Sequence, residues 1–484
     1  MQHSQLREEP GQPPADAAAA AGEFVKAGKF GKALRLLLPL LRQDPSDIPV
    51  LDLTATCLVQ VGDSRSAAKI LEMLLEHDPG LPKAWGKLAA VRATSGDIEG
   101  AAQAYRQALC LQPDDVGLLA AFNHLEPFGQ DSANADFLRA AAQEDGTPKP
   151  QKIQALFALG KIEGKAGDAA TAFDYFALAN KLKADGYDPA FQEAKVRAQL
   201  EADWPETRGG EVPGSPRLLF VTGLPRSGTT LVETCLTQHP DVASIGESEA
   251  LSKTAAAVRR HAAAMHGDTG WWNWLGRLEP EELQQFRRLF WQCAFGQARP
   301  QAPVVIDKMP LNCFEMGLAH LLLPNARFLF LSRHPLDTGL SNFTTNFAAG
   351  NRFSCQLDWI GHMTRCVYRS ARDYQAKLGE AMRVQSYEAL VTAPEEQIRG
   401  MLTHAGLSWD KGCLSPEKNA RSVRTASLMQ VRESINTGAL GKWQRYEAQL
   451  APLKAALGGD EWIAQWQHWD RHAAETGRFA PDPR

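Results

Sequence analysis

Apolar positions in the first two hundred residues return at steps of three and four, and Leu71, Leu74 and Leu75 mark one such face. That period predicts helices buried along one side. Polar breaks between them keep a fixed interval: Gly28, Gly62 and Gly96 stand 34 residues apart, as do Asp44-Pro45, Asp78-Pro79 and Gln112-Pro113. Ala33, Ala67 and Ala101 keep the same interval, so small residues recur where paired helices would approach closely. A further helical pair is expected around Gly167-Asp168, with Ala172, Phe173, Tyr175, Phe176 and Ala179 on its second helix. Gly167 lies 71 residues after Gly96 instead of 68, so an insertion around Asp131 to Pro150 breaks the register.

Beyond a turn-rich stretch at 201–216 the pattern changes. Leu218 to Val221, Pro303 to Ile306 and Arg327 to Ser332 are short apolar runs of the kind buried on both faces of a parallel sheet. Helical patterns follow at Leu231 to Leu236 and from Leu336 onward. The expected fold class is therefore α + α/β: a tail at 1–16, all-α repeats at 17–200, a linker at 201–216, and a three-layer α/β domain with a parallel sheet at 217–484.

Composition narrows the functions. A chain of 484 residues exceeds what one hydrophobic core usually organises. Fifty-two Lys+Arg against 56 Asp+Glu give a formal charge of -4, which excludes a global positive field for nucleic acid or an anionic membrane. The eight cysteines form no CxxC pair and no His/Cys cluster at zinc spacing, so no metal is expected. No apolar run approaches the roughly 20 residues needed to span a bilayer. Residues 1–21 lack the features of a secretory signal, and a cytoplasmic location is expected.

The chemistry concentrates after the first strand, where Gly223-Leu-Pro-Arg-Ser-Gly-Thr-Thr230 leads into a helix. Such a loop turns backbone N–H groups inward, and the helix adds its positive dipole end, which suits a phosphate ester. Gly223 and Gly228 keep the P-loop glycine spacing, but Thr229 stands where that loop carries Lys. The P-loop Lys serves the β- and γ-phosphates, so its replacement argues against hydrolysis of ATP or GTP. Arg226 can bring a cation to an anhydride with fewer phosphates.

Two resemblances follow from these residues. The 34-residue units from about Ala17 to Asp115 resemble the tetratricopeptide repeat. Gly223 to Leu231, His239-Pro240-Asp241-Val242, Gly246-Glu247 and Phe328 to Asp337 resemble the P-loop-like domain of sulfotransferases that use 3'-phosphoadenosine 5'-phosphosulfate (PAPS), and the tyrosylprotein enzymes in particular. The resemblance implies that Pro225, Arg226, Ser227, Gly228, Thr229 and Thr230 hold the 5'-phosphosulfate, and that Arg333 and Ser341 hold the 3'-phosphate. It further implies Glu247 as general base, Lys308 with Arg226 as transition-state cations, and Tyr387 beside the adenosine. Ser427 and Arg432 would belong to a segment closing over the nucleotide, with Arg421, Arg424 and Lys442 as competitors for that role. The implied cosubstrate is PAPS and the product 3'-phosphoadenosine 5'-phosphate (PAP), with no metal.

Glu249 competes with Glu247, since two carboxylates this close could exchange roles. Trp271, Trp272 and Trp274, leading a helix with Leu283, Phe286, Phe290 and Trp291, are expected in the core, and His334 is expected to be structural. The acceptor is a hydroxyl, on a protein tyrosine, carbohydrate, lipid or small phenol. The repeats either hold a peptide or partner or brace the second domain. A nucleotide-dependent phosphotransferase and an inactive repeat adaptor are the rival functions.

Overall fold

In a computed structural model the described residues are 17–202, 204, 215–267, 270–272, 274–296, 301–348, 350–419 and 433–481. Among them, 17–168 form one compact unit and the remainder a second.

The first unit is all helix. Three pairs lead it: α1 (Ala17–Lys26) with α2 (Phe30–Gln43), α3 (Ile48–Val61) with α4 (Ser64–His77), and α5 (Pro82–Ser95) with α6 (Ile98–Leu111). The repeating Gly-Asp has a local cause. Gly62 and Gly96 end α3 and α5 in the left-handed conformation, at φ 89° and 90°. Asp63 and Asp97 then cap α4 and α6 by accepting the backbone N–H of Ser66 and Gly100. Ala33, Ala67 and Ala101 are fully buried, and Leu51, Leu71, Leu74 and Leu88 share one core. Three helices follow: α7 (Val116–Leu125), α8 (Ala133–Gln143) and α9 (Lys149–Ala166), and α9 packs on both α7 and α8. The expected insertion at 131–150 is thus mainly the extra helix α8.

The second unit begins earlier than the sequence suggests. Its first helices are α10 (Ala169–Lys183) and α11 (Pro189–Glu201). Phe173 on α10 stacks on Phe343 at 5.0 Å, and Asn180 donates to the Phe343 carbonyl at 2.8 Å. On α11, Gln199 is paired with Ser370, and Glu193 with Arg369. The apolar face read as a repeat's second helix covers the α/β unit instead, which divides the chain at Asp168 and not at 201–216.

The remaining elements are β1 (Arg217–Gly223), α12 (Thr229–Leu236), β2 (Val242–Ser244), α13 (Ala250–His266), α14 (Pro280–Phe295), β3 (Val304–Lys308), α15 (Met316–Leu322), β4 (Arg327–Ser332), α16 (Pro335–Phe343), α17 (Leu357–Leu378), β5 (Met382–Ser386), α18 (Tyr387–Thr392), α19 (Pro394–Ala405), α20 (Ala451–Leu457) and α21 (Gly459–Thr476). The sheet is parallel throughout, in the order β2-β3-β1-β4-β5. The strands β1, β3 and β4 are buried on both faces, which is why they read as continuous apolar runs. Trp272 and Trp274 are buried as expected, together with Leu283, Phe286, Phe290 and Trp291. The tryptophans lead into α14, but Trp271 is only half-buried and is not part of the core.

Candidate active site

In parallel sheets ligands gather at the carboxyl ends of the strands, where the order reverses on either side of the first strand. Here that edge carries the Gly223 loop at β1, Lys308 at β3 and Arg333 just after β4.

The loop is tightly shaped. Gly223 and Gly228 have φ of 144° and 106°, and Arg226 also adopts a positive φ, 70°, which is uncommon for a residue with a side chain. A Cβ on Gly228 would lie 2.4 Å from Tyr387 Cδ2, so only glycine lets the first residue of α18 pack against the loop. Thr229 and Thr230 open α12 and are buried. Ser227 Oγ is buried without a hydrogen-bond partner among the described residues.

The cations come from separate elements. Arg226 Nε donates to Ser341 Oγ on α16 at 2.9 Å. Arg333 donates to the Arg226 carbonyl at 2.8 Å and to the Ala439 carbonyl at 2.8 Å, and its guanidinium lies 4.5 Å from the Tyr387 ring centroid. Its Nε is buried without a partner among the described residues. Burial and the Arg333 charge bring Arg226 down to about 10, so Arg226 remains a cation at neutral pH. Buried donors that lack an acceptor, beside two like charges held together, fit an anion.

A second cluster sits at the end of β3. Lys308 pairs in register with Val221 of β1, and its backbone N–H donates to the Gly246 carbonyl at 2.9 Å, so the segment after β2 runs alongside. Lys308 Nζ reaches Glu247 Oε1 at 2.5 Å and stands 3.8 Å from Glu233 Oε2. The Lys308 side chain is 1% exposed and that of Glu247 44%, so the lysine is held inside while the carboxylate faces outward. Glu249 pairs with Lys253 at 2.8 Å, with both side chains largely exposed, and is not part of this cluster. Asp307 is fully buried; burial and Glu233 hold its carboxyl well above the usual range against the pull of Lys308.

Sequence reasoning missed three acidic residues here. Glu233 accepts from Ser244 Oγ at 2.5 Å and flanks Lys308; its signal was a lone acid within the apolar turns of α12. Asp337 accepts the backbone N–H of Gly441 at 2.7 Å and of Trp443 at 2.9 Å, which holds the segment 438–443 beside Arg333. Glu388 accepts the His334 N–H at 2.8 Å; burial and Asp470 raise it to about 7. His334 stacks on Trp443 at 5.3 Å, and burial lowers it to about 4, which fits its structural role. Lys442 opens a 3-10 turn in this segment. Ser427, Arg432, Arg421 and Arg424 lie outside the described residues.

Residues 216–411 match the model described as the sulfotransferase family. They form a sulfotransferase-family domain. Over 419 residues the chain is 29% identical to an "Uncharacterized protein" of Aquifex aeolicus (strain VF5), a match that covers 83% of this chain and 53% of the relative. It is 26% identical over 263 residues to the "Protein-tyrosine sulfotransferase" of Drosophila melanogaster, covering 50% of this chain and 52% of that protein. The chain spans about half the length of these two curated relatives. Among solved structures, the "Sulfotransferase Domain from the Synechococcus PCC 7002 Olefin Synthase" aligns with a TM-score of 0.33 at 19% identity, covering 50% of this chain and 91% of that one. Among the described residues, no helix is long and apolar enough to cross a membrane.

Proposed function

We propose that the chain is a sulfotransferase that moves the sulfuryl group of PAPS to an acceptor hydroxyl without a metal. The observation that carries this reading is the Lys308–Glu247 pair beside a glycine loop that lacks the P-loop lysine. The missing cation is supplied from the neighbouring strand, next to a carboxylate that reaches solvent.

The loop from Pro225 to Thr230 would take the 5'-phosphosulfate through backbone N–H groups, the Ser227, Thr229 and Thr230 hydroxyls and Arg226. Arg333 and Ser341 would take the 3'-phosphate, Tyr387 would border the adenosine, and Ser427 with Arg432 would close over it. Glu247 accepts the acceptor's hydroxyl proton while that oxygen bonds to sulfur, and the bond from sulfur to the phosphate oxygen breaks. The electron pair stays on the departing phosphate, where Lys308 and Arg226 counter its charge. Glu233 remains beside Lys308 as Glu247 turns to the acceptor, so the lysine keeps a carboxylate neighbour.

The named activity of the Drosophila relative makes protein tyrosine the acceptor class to test first, with the repeats as the place to hold the peptide. Incubating the full chain with PAPS and a tyrosine peptide, with mass detection of a sulfated product, tests the activity. Calorimetry with PAP and ATP tests the nucleotide. ATP bound more tightly than PAP, and only with magnesium, would replace this reading with a phosphotransferase.

A further inference from the structure

Away from the glycine loop, α11 and α17 bring together three side chains that the sequence spacing does not join. His362 and Cys366 stand one turn apart on α17, and Glu193 comes from α11. Glu193 Oε2 lies 3.7 Å from Cys366 Sγ and 3.8 Å from His362 Nε2, and Sγ lies 3.8 Å from that same nitrogen. The three atoms form a nearly equilateral triangle. A tetrahedral ion seated over the triangle would stand about 2.3 Å from each, the length of a zinc–sulfur bond and a few tenths of an ångström beyond zinc bonds to nitrogen and oxygen.

The surroundings suit that use. Arg369 NH1 binds Glu193 Oε1 at 2.6 Å, which leaves Oε2 turned toward the other two ligands. The Tyr187 hydroxyl sits 2.7 Å from His362 Nδ1, so the imidazole can keep its proton on Nδ1 and present the Nε2 lone pair. Cys366 is buried, whereas the His362 and Glu193 side chains are 29% and 31% exposed. One side of the triangle therefore opens to solvent, where water can complete a tetrahedron.

We propose that Glu193, His362 and Cys366 bind one divalent cation of zinc type, with a water as fourth ligand, and that the metal fastens α11 to α17. Mixed sulfur, nitrogen and oxygen donors select zinc over magnesium or calcium, which take oxygen ligands. Binding forms a metal–sulfur bond, and the thiol proton passes to solvent. The sequence reading finds no His/Cys cluster at zinc spacing; His362 and Cys366 are four residues apart, and the third ligand arrives through the fold.

Cobalt(II) is a direct probe, because its thiolate complexes absorb in the near ultraviolet and tetrahedral cobalt absorbs strongly in the visible. The full chain, stripped with chelator and dialysed, should take up one equivalent of cobalt with both features, and added zinc should displace it. Cys366→Ser should abolish the thiolate band, while Cys293→Ser, at an exposed cysteine, should leave it intact. His362→Gln and Glu193→Gln should each weaken uptake at least tenfold, which guards against a folding defect in the cysteine variant. Absence of saturable uptake, or a thiolate band that survives Cys366→Ser, overturns the site. PAP binding, measured in parallel, separates failure of this site from failure of the sulfotransferase reading.

Discussion

Arg226 gives its Nε to the Ser341 hydroxyl at 2.9 Å while its own backbone holds φ at 70°. The left-handed conformation costs a residue with a Cβ about 1 kcal/mol that glycine does not incur. Arg226→Gly is therefore expected to melt higher than Arg226→Ala, since both lose the guanidinium and only alanine keeps the strain. Both should transfer sulfuryl groups far more slowly than the parent. Thermal denaturation beside an activity assay checks the two halves; equal melting temperatures would show that the loop costs nothing to hold.

Glu247→Gln keeps shape and removes basicity, so kcat should fall about 10²- to 10⁴-fold with PAP affinity little changed. Glu249→Gln should turn over normally, because Glu249 is engaged with Lys253 on the outside. Steady-state kinetics of the pair decide it, and a dead Glu249→Gln with an active Glu247→Gln would move the base.

Arg333→Ala should weaken PAP by about 10- to 100-fold, the worth of charge-assisted hydrogen bonds. Arg333→Lys should recover little, since one ammonium cannot serve the Arg226 and Ala439 carbonyls and an anion with the same planar fork. Calorimetry without added metal gives both values. Affinity that survives Arg333→Ala would remove this residue from the nucleotide site.

Glu388 should make stability depend on pH. Burial lifts its pKa from 4.5 to about 7, so between those values the folded chain holds a proton that the unfolded chain has released. Its contribution is intact below 4.5 and is lost as pH rises through about 7. Glu388→Gln lacks this titration, so the melting temperature of the parent should fall relative to the variant from about pH 5 to about pH 8. His334, lowered by burial to about 4, acts in the opposite sense but is common to both proteins and cancels. A difference that stays constant with pH would place the charge elsewhere.

What the sequence disclosed follows from how local each feature is. The β1, β3 and β4 runs were legible because a strand buried on both faces has no polar alternation, and Gly62 and Gly96 because a left-handed helix end favours glycine. Tyr387 is the first residue of α18, and a six-residue helix has too few turns to show a period. Only resemblance pointed to Lys308, because a cation on a neighbouring strand leaves no mark near the loop it serves. Glu233 and Asp337 act through partners 11 to 106 residues away, and nothing in their immediate neighbours announces that. The edge between repeat and α/β unit was misjudged for a related reason: α10 has the composition of a repeat helix, and only its neighbour Phe343 reveals which core it joins.

That placement of α10 sets where chimeras of this architecture can be joined. A splice in the turn-rich stretch at 201–216 would exchange α10 and α11 along with the repeats, and would leave Phe343, Ser370 and Arg369 facing a stranger's residues. A splice at Gly167, whose φ of 102° already ends α9, would carry the helices from α1 to α9 across and keep α10 and α11 with Phe343, Ser370 and Arg369. The join for exchanging the first unit is then one glycine, and not the turn-rich stretch.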